Sequence, residues 1–127
     1  VWLTEKVCVT QTDIRNIQLA KAAIAAGIQI LLNEKGIKYK DVKRLILAGG
    51  FGTYLNKESA ARIGLIPSEL LPVTQAVGNA AGEGAVSAAI SKEAREQAKK
   101  IREHMHYIEL SMHQKFSDVY MDSMYFE

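Results

Sequence analysis

The stretch from Arg44 to Gly52, with the sequence RLILAGGFG, constrains the fold of this chain more than any other. Leu45–Leu47 is an uninterrupted apolar run, which predicts a short strand buried on both faces. The run breaks into three glycines, which let the backbone turn sharply and let a ligand approach it closely, namely Gly49, Gly50 and Gly52. A strand, a glycine turn and a helix together are typical of the ligand-binding edge of an α/β sheet. The sequence leaves open whether this turn contacts a ligand or only needs room.

A second junction of the same kind follows. Val73–Val77 predicts another short apolar strand, which runs into Gly78 and Asn79. Asn79 is a good N-cap for a helix that extends to about residue 90. Glu83 already places a carboxylate in the first turn of that helix, which argues against a bound phosphate there. We therefore expect close packing, or contact with an uncharged ligand face, at the two glycines inside this helix, Gly82 and Gly84.

The remaining elements are predicted from local signals. A capping box at Thr10 and Asp13 predicts the start of a long helix, and Asn56 predicts the N-cap of a short one. The expected elements are a strand at Lys6–Val9, helices at Gln11–Lys35, Lys57–Ile63 and Glu93–Glu103, a strand at Tyr107–Leu110, and a helical segment at Phe116–Met124 that covers one face of the sheet.

Lys21 interrupts the apolar stripe of the long helix, which is formed by Ile14, Ile17, Ile24, Ile28, Leu31 and Leu32. Its methylenes could lie on the core while its ammonium reaches water. Alternatively, the ammonium faces a pocket and meets a ligand, with Gln18 beside it one turn earlier. The opposite side of the helix carries small residues that allow close approach of another element, namely Ala22, Ala23, Ala26 and Gly27.

Composition excludes several classes of function. The 127 residues carry a net charge of only +2, which is too balanced to indicate nucleic-acid binding. The single cysteine, Cys8, excludes an internal disulfide and a cysteine-ligated cluster within this chain. No apolar run approaches the length of a membrane span and no signal peptide is visible, so we expect a cytoplasmic protein. Val1 in place of methionine suggests a fragment. The three histidines lack a metal-ligand spacing, and no catalytic motif is complete.

Four motifs carry a resemblance to a known family, and they occur in order along the chain. They are Thr10–Arg15 (TQTDIR), Gln18–Ile24 (QLAKAAI), Leu47–Gly52 (LAGGFG) with Tyr54–Asn56, and Val77–Gly84 (VGNAAGEG). Together they resemble the carboxyl-terminal domain of the reductive activators of corrinoid proteins. That resemblance covers almost the whole chain. It implies an α/β fold within the acetate and sugar kinase, Hsp70 and actin group (ASKHA), in which residues 1–127 form one RNase H-like, actin-like ATPase half-domain with a mostly parallel sheet and helices on both faces.

The resemblance also implies a function. Family members use ATP with Mg to return an inactive cobalt(II) corrinoid to cobalt(I), and they carry a 2Fe–2S cluster in an amino-terminal domain that this chain lacks. The implied partner is a corrinoid iron–sulfur or corrinoid methyltransferase protein. The implied nucleotide-binding residues are Gly49, Gly50 and Gly52 against adenosine or ribose, Gln18 and Lys21 at the adenine, and Gly78 and Asn79 at the second junction.

Two further expectations concern what this chain does by itself. The resemblance implies little or no ATPase activity, because the first half of the domain, with its acidic Mg-phosphate loop, is missing. We expect a homodimer, with the small-residue surface of the long helix as a candidate contact. The alternative function is a non-enzymatic module that docks the corrinoid protein or dimerises, in which the glycines only pack.

Overall fold

The computed structural model describes residues 1–126, with Phe51 described in its backbone only. Within this range the chain forms six α-helices, two β-strands and three short 3₁₀ helices. The helices are α1 (Gln11–Glu34), α2 (Gly49–Tyr54), α3 (Lys57–Arg62), α4 (Ala80–Ile90), α5 (Lys92–Glu103) and α6 (Phe116–Asp122), the strands are β1 (Leu45–Leu47) and β2 (Thr74–Ala76), and the 3₁₀ helices are Tyr39–Asp41, Ser68–Val73 and Leu110–Met112.

The long helix α1 begins at the predicted capping box. The Asp13 backbone N–H donates to the Thr10 hydroxyl at 3.2 Å, and the Thr10 backbone N–H donates to the Asp13 carboxylate at 2.8 Å. The hydrogen bond from the Thr10 side chain, and to a smaller extent the one from the Thr10 backbone, hold the pKa of the Asp13 carboxyl below its usual value. Just beyond the C-terminal end of α1, Gly36 adopts a φ of 64°, which is the left-handed conformation of a helix stop.

The buried face of α1 differs from the predicted one. Ala22 and Ala26 are fully buried, whereas Ile17 and Leu31 of the predicted apolar stripe are 44% and 49% exposed. The small residues are covered within the chain because α6 packs against α1, and a Cβ at Gly27 would lie 3.5 Å from Leu110. The prediction that these small residues form a contact between copies is therefore wrong for all but Ala23, which is exposed.

The two strands pair in parallel, which confirms the α/β fold and the two predicted strands. Leu45 pairs with Thr74 and Leu47 with Ala76. Leu45 and Leu47 pack onto a small core of Ala60, Leu65 and Ile66. The side chain of Ile46, however, is 53% exposed, so the prediction that this strand is buried on both faces is wrong.

Two other predicted strands did not form. Residues 6–9 contribute one isolated antiparallel bridge, between Trp2 and Cys8. Residues 107–110 lead into the 3₁₀ helix Leu110–Met112 instead, and the hydroxyl of Tyr107 donates to the nearby carboxylate of Glu109. Short segments of this kind need a neighbouring strand to hold them, and a sequence pattern does not supply the neighbour.

The last helix forms at the predicted place but has a different packing partner. We expected residues 116–124 to cover a face of the sheet, and α6 packs against α1 instead. Phe116 and Tyr120 stack within α6, with ring centroids 5.5 Å apart. Among residues 1–126, no helix combines the length and the apolar character that crossing a membrane requires.

Gly52 gives a direct test of how closely α2 lies against the strand pair. A Cβ at this position would stand 2.3 Å from the carbonyl oxygen of Leu47 and 3.0 Å from the backbone nitrogen of Gly78. We therefore expect Gly52→Ala to lower the free energy of unfolding by ~1–3 kcal/mol in a urea titration, since backbone atoms must move.

The matched control is Gly84→Ala inside α4. A Cβ there would meet no described atom within 4 Å. This change should raise the free energy of unfolding by up to ~1 kcal/mol, because alanine favours a helix interior. Equal urea midpoints for Gly52→Ala and the unaltered chain would show that α2 does not pack on the strands in this way.

Candidate functional site

The two glycine junctions meet at the carboxyl edge of the parallel strands. Val77 N–H donates to the Leu47 carbonyl at 2.9 Å, and Gly49 N–H donates to the Gly78 carbonyl at 2.6 Å. Gly49 and Gly78 both have positive φ values, 71° and 58°. Only glycine adopts this backbone conformation at little cost, so both residues are required by the course of the chain. The two hydrogen bonds continue the strand pairing beyond the ends of the strands.

The first junction is the start of a helix, where a glycine turn was predicted. Gly49–Tyr54 forms α2 directly after β1, and the Thr53 hydroxyl donates to the Gly49 carbonyl at 3.1 Å. The next helix, α3, then begins as predicted after Asn56, whose side chain accepts a hydrogen bond from Ser59 N–H at 2.7 Å. The glycines therefore allow two helices to follow the strand in quick succession.

Gly50 is the open position at this edge. A Cβ at Gly50 would have no described atom within 4 Å, and its φ is not positive. The residue is exposed, in contrast to the buried Gly52 only two positions away. Among the described residues, neither a positive φ nor packing requires a glycine at this position.

Asn79 acts as the N-cap of α4, as predicted. Its side-chain oxygen accepts a hydrogen bond from Gly82 N–H at 3.0 Å. A Cβ at Gly82 would lie 2.4 Å from the Asn79 amide nitrogen, which confirms close packing there. A Cβ at Gly84 would meet no described atom within 4 Å, so close packing is not found there, and contact with an uncharged ligand face stays a prediction.

Lys21 and Gln18 of α1 contact the C-terminal segment. Lys21 is only 2% exposed, so the interpretation that its ammonium reaches bulk water is wrong. Its Nζ donates to the Tyr125 carbonyl and lies 5.2 Å from the centre of the Phe126 ring. Gln18 donates from Nε2 to the Met124 carbonyl at 3.3 Å. Two side chains one turn apart thus bind two consecutive main-chain carbonyls.

A cavity of about 330 Å³ adjoins Lys21. Tyr39, Glu69 and Asp122 line it, together with Ser123 and Tyr125. Burial, with a smaller contribution from the Glu69 carboxylate, raises the pKa of Tyr39 above its usual value. None of the glycines of the strand edge belongs to the lining among the described residues. A common pocket of Lys21, Gln18 and the Gly49–Gly52 turn therefore stays a prediction.

Sequence reasoning missed the partners of Lys21 and Gln18 because these partners are backbone carbonyls. The position of Lys21 inside an apolar stripe was the available signal, and it left open whether the ammonium reaches water or faces a pocket. It could not indicate residues a hundred positions later in the chain. Nor does any trio of His, Cys, Asp and Glu side chains within residues 1–126 have the arrangement of a metal site. His113 contacts the Glu34 carboxylate at 3.0 Å.

Parallel strands whose carboxyl ends lead into two joined glycine junctions fit the α/β fold that the sequence motifs imply. Comparison with known families agrees: the model for the C-terminal ASKHA domain of RACo matches residues 2–127. The chain therefore belongs to that family, as the sequence motifs implied.

This chain is similar in sequence to two known proteins and in structure to a third. The corrinoid activation enzyme RamQ of Eubacterium limosum is 40% identical over 116 residues, which are 91% of this chain and 19% of RamQ. A [Co(II) methylated amine-specific corrinoid protein] reductase of Methanosarcina barkeri is 33% identical over 67 residues, 53% of this chain and 12% of that protein. A solved reductive activator for a corrinoid, iron-sulfur protein superposes with a TM-score of 0.82 at 38% identity, covering 91% of this chain and 18% of its own. The chain thus spans about a fifth of the length of RamQ and of the solved activator.

The contact between Gly64 and Lys21 can be tested against a matched glycine. Gly64 has a φ of 72°, and a Cβ there would lie 3.2 Å from Lys21 Nζ, whereas Gly36 has a φ of 64° and open space. Both changes to alanine should cost ~1–2 kcal/mol of left-handed strain. We expect Gly64→Ala to cost ~1 kcal/mol more, because it also displaces an ammonium that is held in place. Urea unfolding measures both, and equal losses would mean that Lys21 is not fixed where it lies.

Proposed function

We propose that this chain is the nucleotide-facing C-terminal domain of a protein that uses ATP to reduce inactive cobalt(II) corrinoid proteins to cobalt(I). Support comes from the family to which the chain belongs and from relatives described as corrinoid activators or reductases. Under this proposal the partner is a corrinoid iron–sulfur or corrinoid methyltransferase protein. The cytoplasmic location predicted from the sequence is part of the same proposal.

The observation that carries the nucleotide proposal is the open backbone at Gly50. Its neighbours Gly49 and Gly78 are fixed by their positive φ values and by their mutual hydrogen bond. Gly52 is fixed by packing on Leu47. Gly50 alone among these glycines has neither constraint, which fits a position where a flat ligand such as adenosine approaches the main chain. Asn79 would border that ligand from the second junction.

The residues of this chain are poorly suited to bind the Mg ion or a 2Fe–2S cluster. Mg prefers carboxylate oxygens and waters, and the described residues offer no cluster of that kind. A 2Fe–2S cluster needs four ligands, usually cysteines, and Cys8 is the single cysteine of the sequence. We therefore assign this chain binding and orientation of the nucleoside, and we derive no hydrolytic or electron-transfer step from its residues.

Gln18 and Lys21 remain predicted adenine contacts that nothing yet tests. Both already bind main-chain carbonyls of residues 124 and 125, and Lys21 lines a cavity separate from the glycine edge. If they do contact the adenine, these hydrogen bonds must be exchanged for contacts with the base. The glycine edge requires no such rearrangement, so it is the better-supported part of the proposed nucleotide site.

Substitutions at Gly50 distinguish a ligand-binding role of this turn from a purely structural one. We expect Gly50→Ala to weaken binding of a nonhydrolysable ATP analogue, and Gly50→Val to abolish it, because each added methyl occupies the space the ligand needs. Calorimetric titration of the protein that carries this chain measures the affinity. Circular dichroism and the urea midpoint should change little for Gly50→Ala, since its Cβ meets no described atom and a helix accepts alanine readily. Unchanged nucleotide affinity in both variants would refute a nucleotide at this turn.

The alternative function, a docking or dimerisation module, is favoured by one observation. Apolar side chains on α4 stand in solvent: Val86 is 60% exposed and Ile90 is 82% exposed. Exposed apolar residues that lie together often mark an interface. Under this alternative a second copy of the chain covers α4, and the predicted homodimer is formed there rather than on α1.

Sedimentation of the chain at micromolar concentration tests the homodimer. We expect a dimer that Ile90→Asp converts to a monomer, while Leu19→Asp, a 40% exposed site on α1, leaves it unchanged. An unaltered chain that sediments as a monomer of 14.0 kDa would rule out the dimer. Stabilisation of the chain by ATP against thermal unfolding would favour the nucleotide proposal over a purely docking role.

A further inference from the structure

The C-terminal segment Met124–Phe126 lies across α1 as a short strap. Helix α6 ends at Asp122, and the Met124 N–H still donates to the Met121 carbonyl at 3.1 Å. After that point the segment is held to α1 by the Gln18 and Lys21 side chains. Tyr125 and Phe126 are 74% and 44% exposed.

Main-chain atoms provide most of the described attachment. Two carbonyls accept hydrogen bonds, and the Phe126 ring lies 5.2 Å from the Lys21 ammonium. Tyr125 and Phe126 are both exposed, and segments with exposed side chains belong to the least stable parts of a protein, which open locally before the whole molecule unfolds. The helix below it is different, because Ala22, Ala26 and Ile30 of α1 are almost fully buried.

The strap covers the side chain of Lys21, which is unusually buried for a lysine. A lysine is rarely buried to 2% exposure, and this one lies beside a cavity of about 330 Å³ whose lining also includes Tyr39, Glu69 and Asp122. Tyr125 of the strap belongs to the same lining. Movement of the strap would therefore change both the exposure of Lys21 and the access to the cavity.

We propose that Met124–Phe126 is a closing strap, which opens without unfolding of α1 and thereby exposes the Lys21 ammonium at the mouth of this cavity. The strap is a gate for small solutes that reach Lys21. It does not rest on the nucleotide-binding role of the glycine edge, because no glycine of that edge lines the cavity among the described residues. Failure of one proposal thus leaves the other standing.

Acylation of lysines by a succinimidyl ester, followed by peptide mass spectrometry, measures the opening. The reactivity of Lys21 is expressed relative to Lys92, which is exposed. The double variant Gln18→Met with Phe126→Ala removes one hydrogen bond and the ring contact while leaving the Lys21 reporter in place. We expect its relative reactivity at Lys21 to rise about tenfold, which corresponds to losing these two contacts.

The control pair is Gln29→Met with Tyr107→Ala. Gln29 lies on the same helix and lines the same cavity, and Tyr107 is 83% exposed. This pair should leave the relative reactivity of Lys21 unchanged. If the strap variant keeps its helical circular dichroism and shows no rise at Lys21, the segment is not what protects this lysine.

The unaltered chain gives a second test that does not depend on the folding of any variant. Lys21 acylation reports the population in which the strap is open, and amide hydrogen exchange at Ala26 and Ile30 reports the opening of α1 itself. We expect the first opening to be at least about tenfold more populated than the second. If Lys21 reacts only through the same opening that exposes these amides, the segment is a fixed part of the fold and the proposal is wrong.

Discussion

The parallel pairing of β1 with β2 is the interaction on which the rest of the candidate site depends. Each strand contributes only three residues, yet the pairing is extended by the bond between Val77 and Leu47 and by the bond between Gly49 and Gly78. Those extensions bring two distant glycine junctions to one edge. They also require close approach of α2, which the lack of a side chain at Gly52 permits. A change that shifted the register by one residue would separate the junctions and remove the edge as a candidate site.

Much of the local structure could be predicted, because its causes are local. The capping box at Thr10 and Asp13, the caps at Asn56 and Asn79, and the stop at Gly64 lie within a few residues of the helices they begin or end. Elements that depend on distant partners were less predictable. The segment at 107–110 has the alternation of a strand but not its pairing, and α6 has a helical pattern that does not specify which surface it covers.

In the candidate site, too, features with local causes could be predicted and features that depend on distant partners could not. The glycines could be found from the sequence because positive φ values and close approach both demand glycine, and motif order supported the family. That α2 begins on the first of these glycines could not be found, since glycine spacing alone is equally typical of a loop. For Lys21, its place among apolar residues left open whether the ammonium reaches water or faces a pocket, and its described partners are the Tyr125 carbonyl and the Phe126 ring. A backbone acceptor has no signature in a sequence.

The account's central claim is that a nucleoside lies against the glycine edge. Backbone amide NMR spectra of this chain, recorded with and without a nonhydrolysable ATP analogue, test it most directly. The account predicts that the largest shift changes fall on Gly49, Gly50, Gly52, Gly78 and Asn79, with little change at Ala25 and Gln29. Changes concentrated at Ala25, Gln29 and Ser123 around the Lys21 cavity, with the glycine amides unmoved, would contradict it.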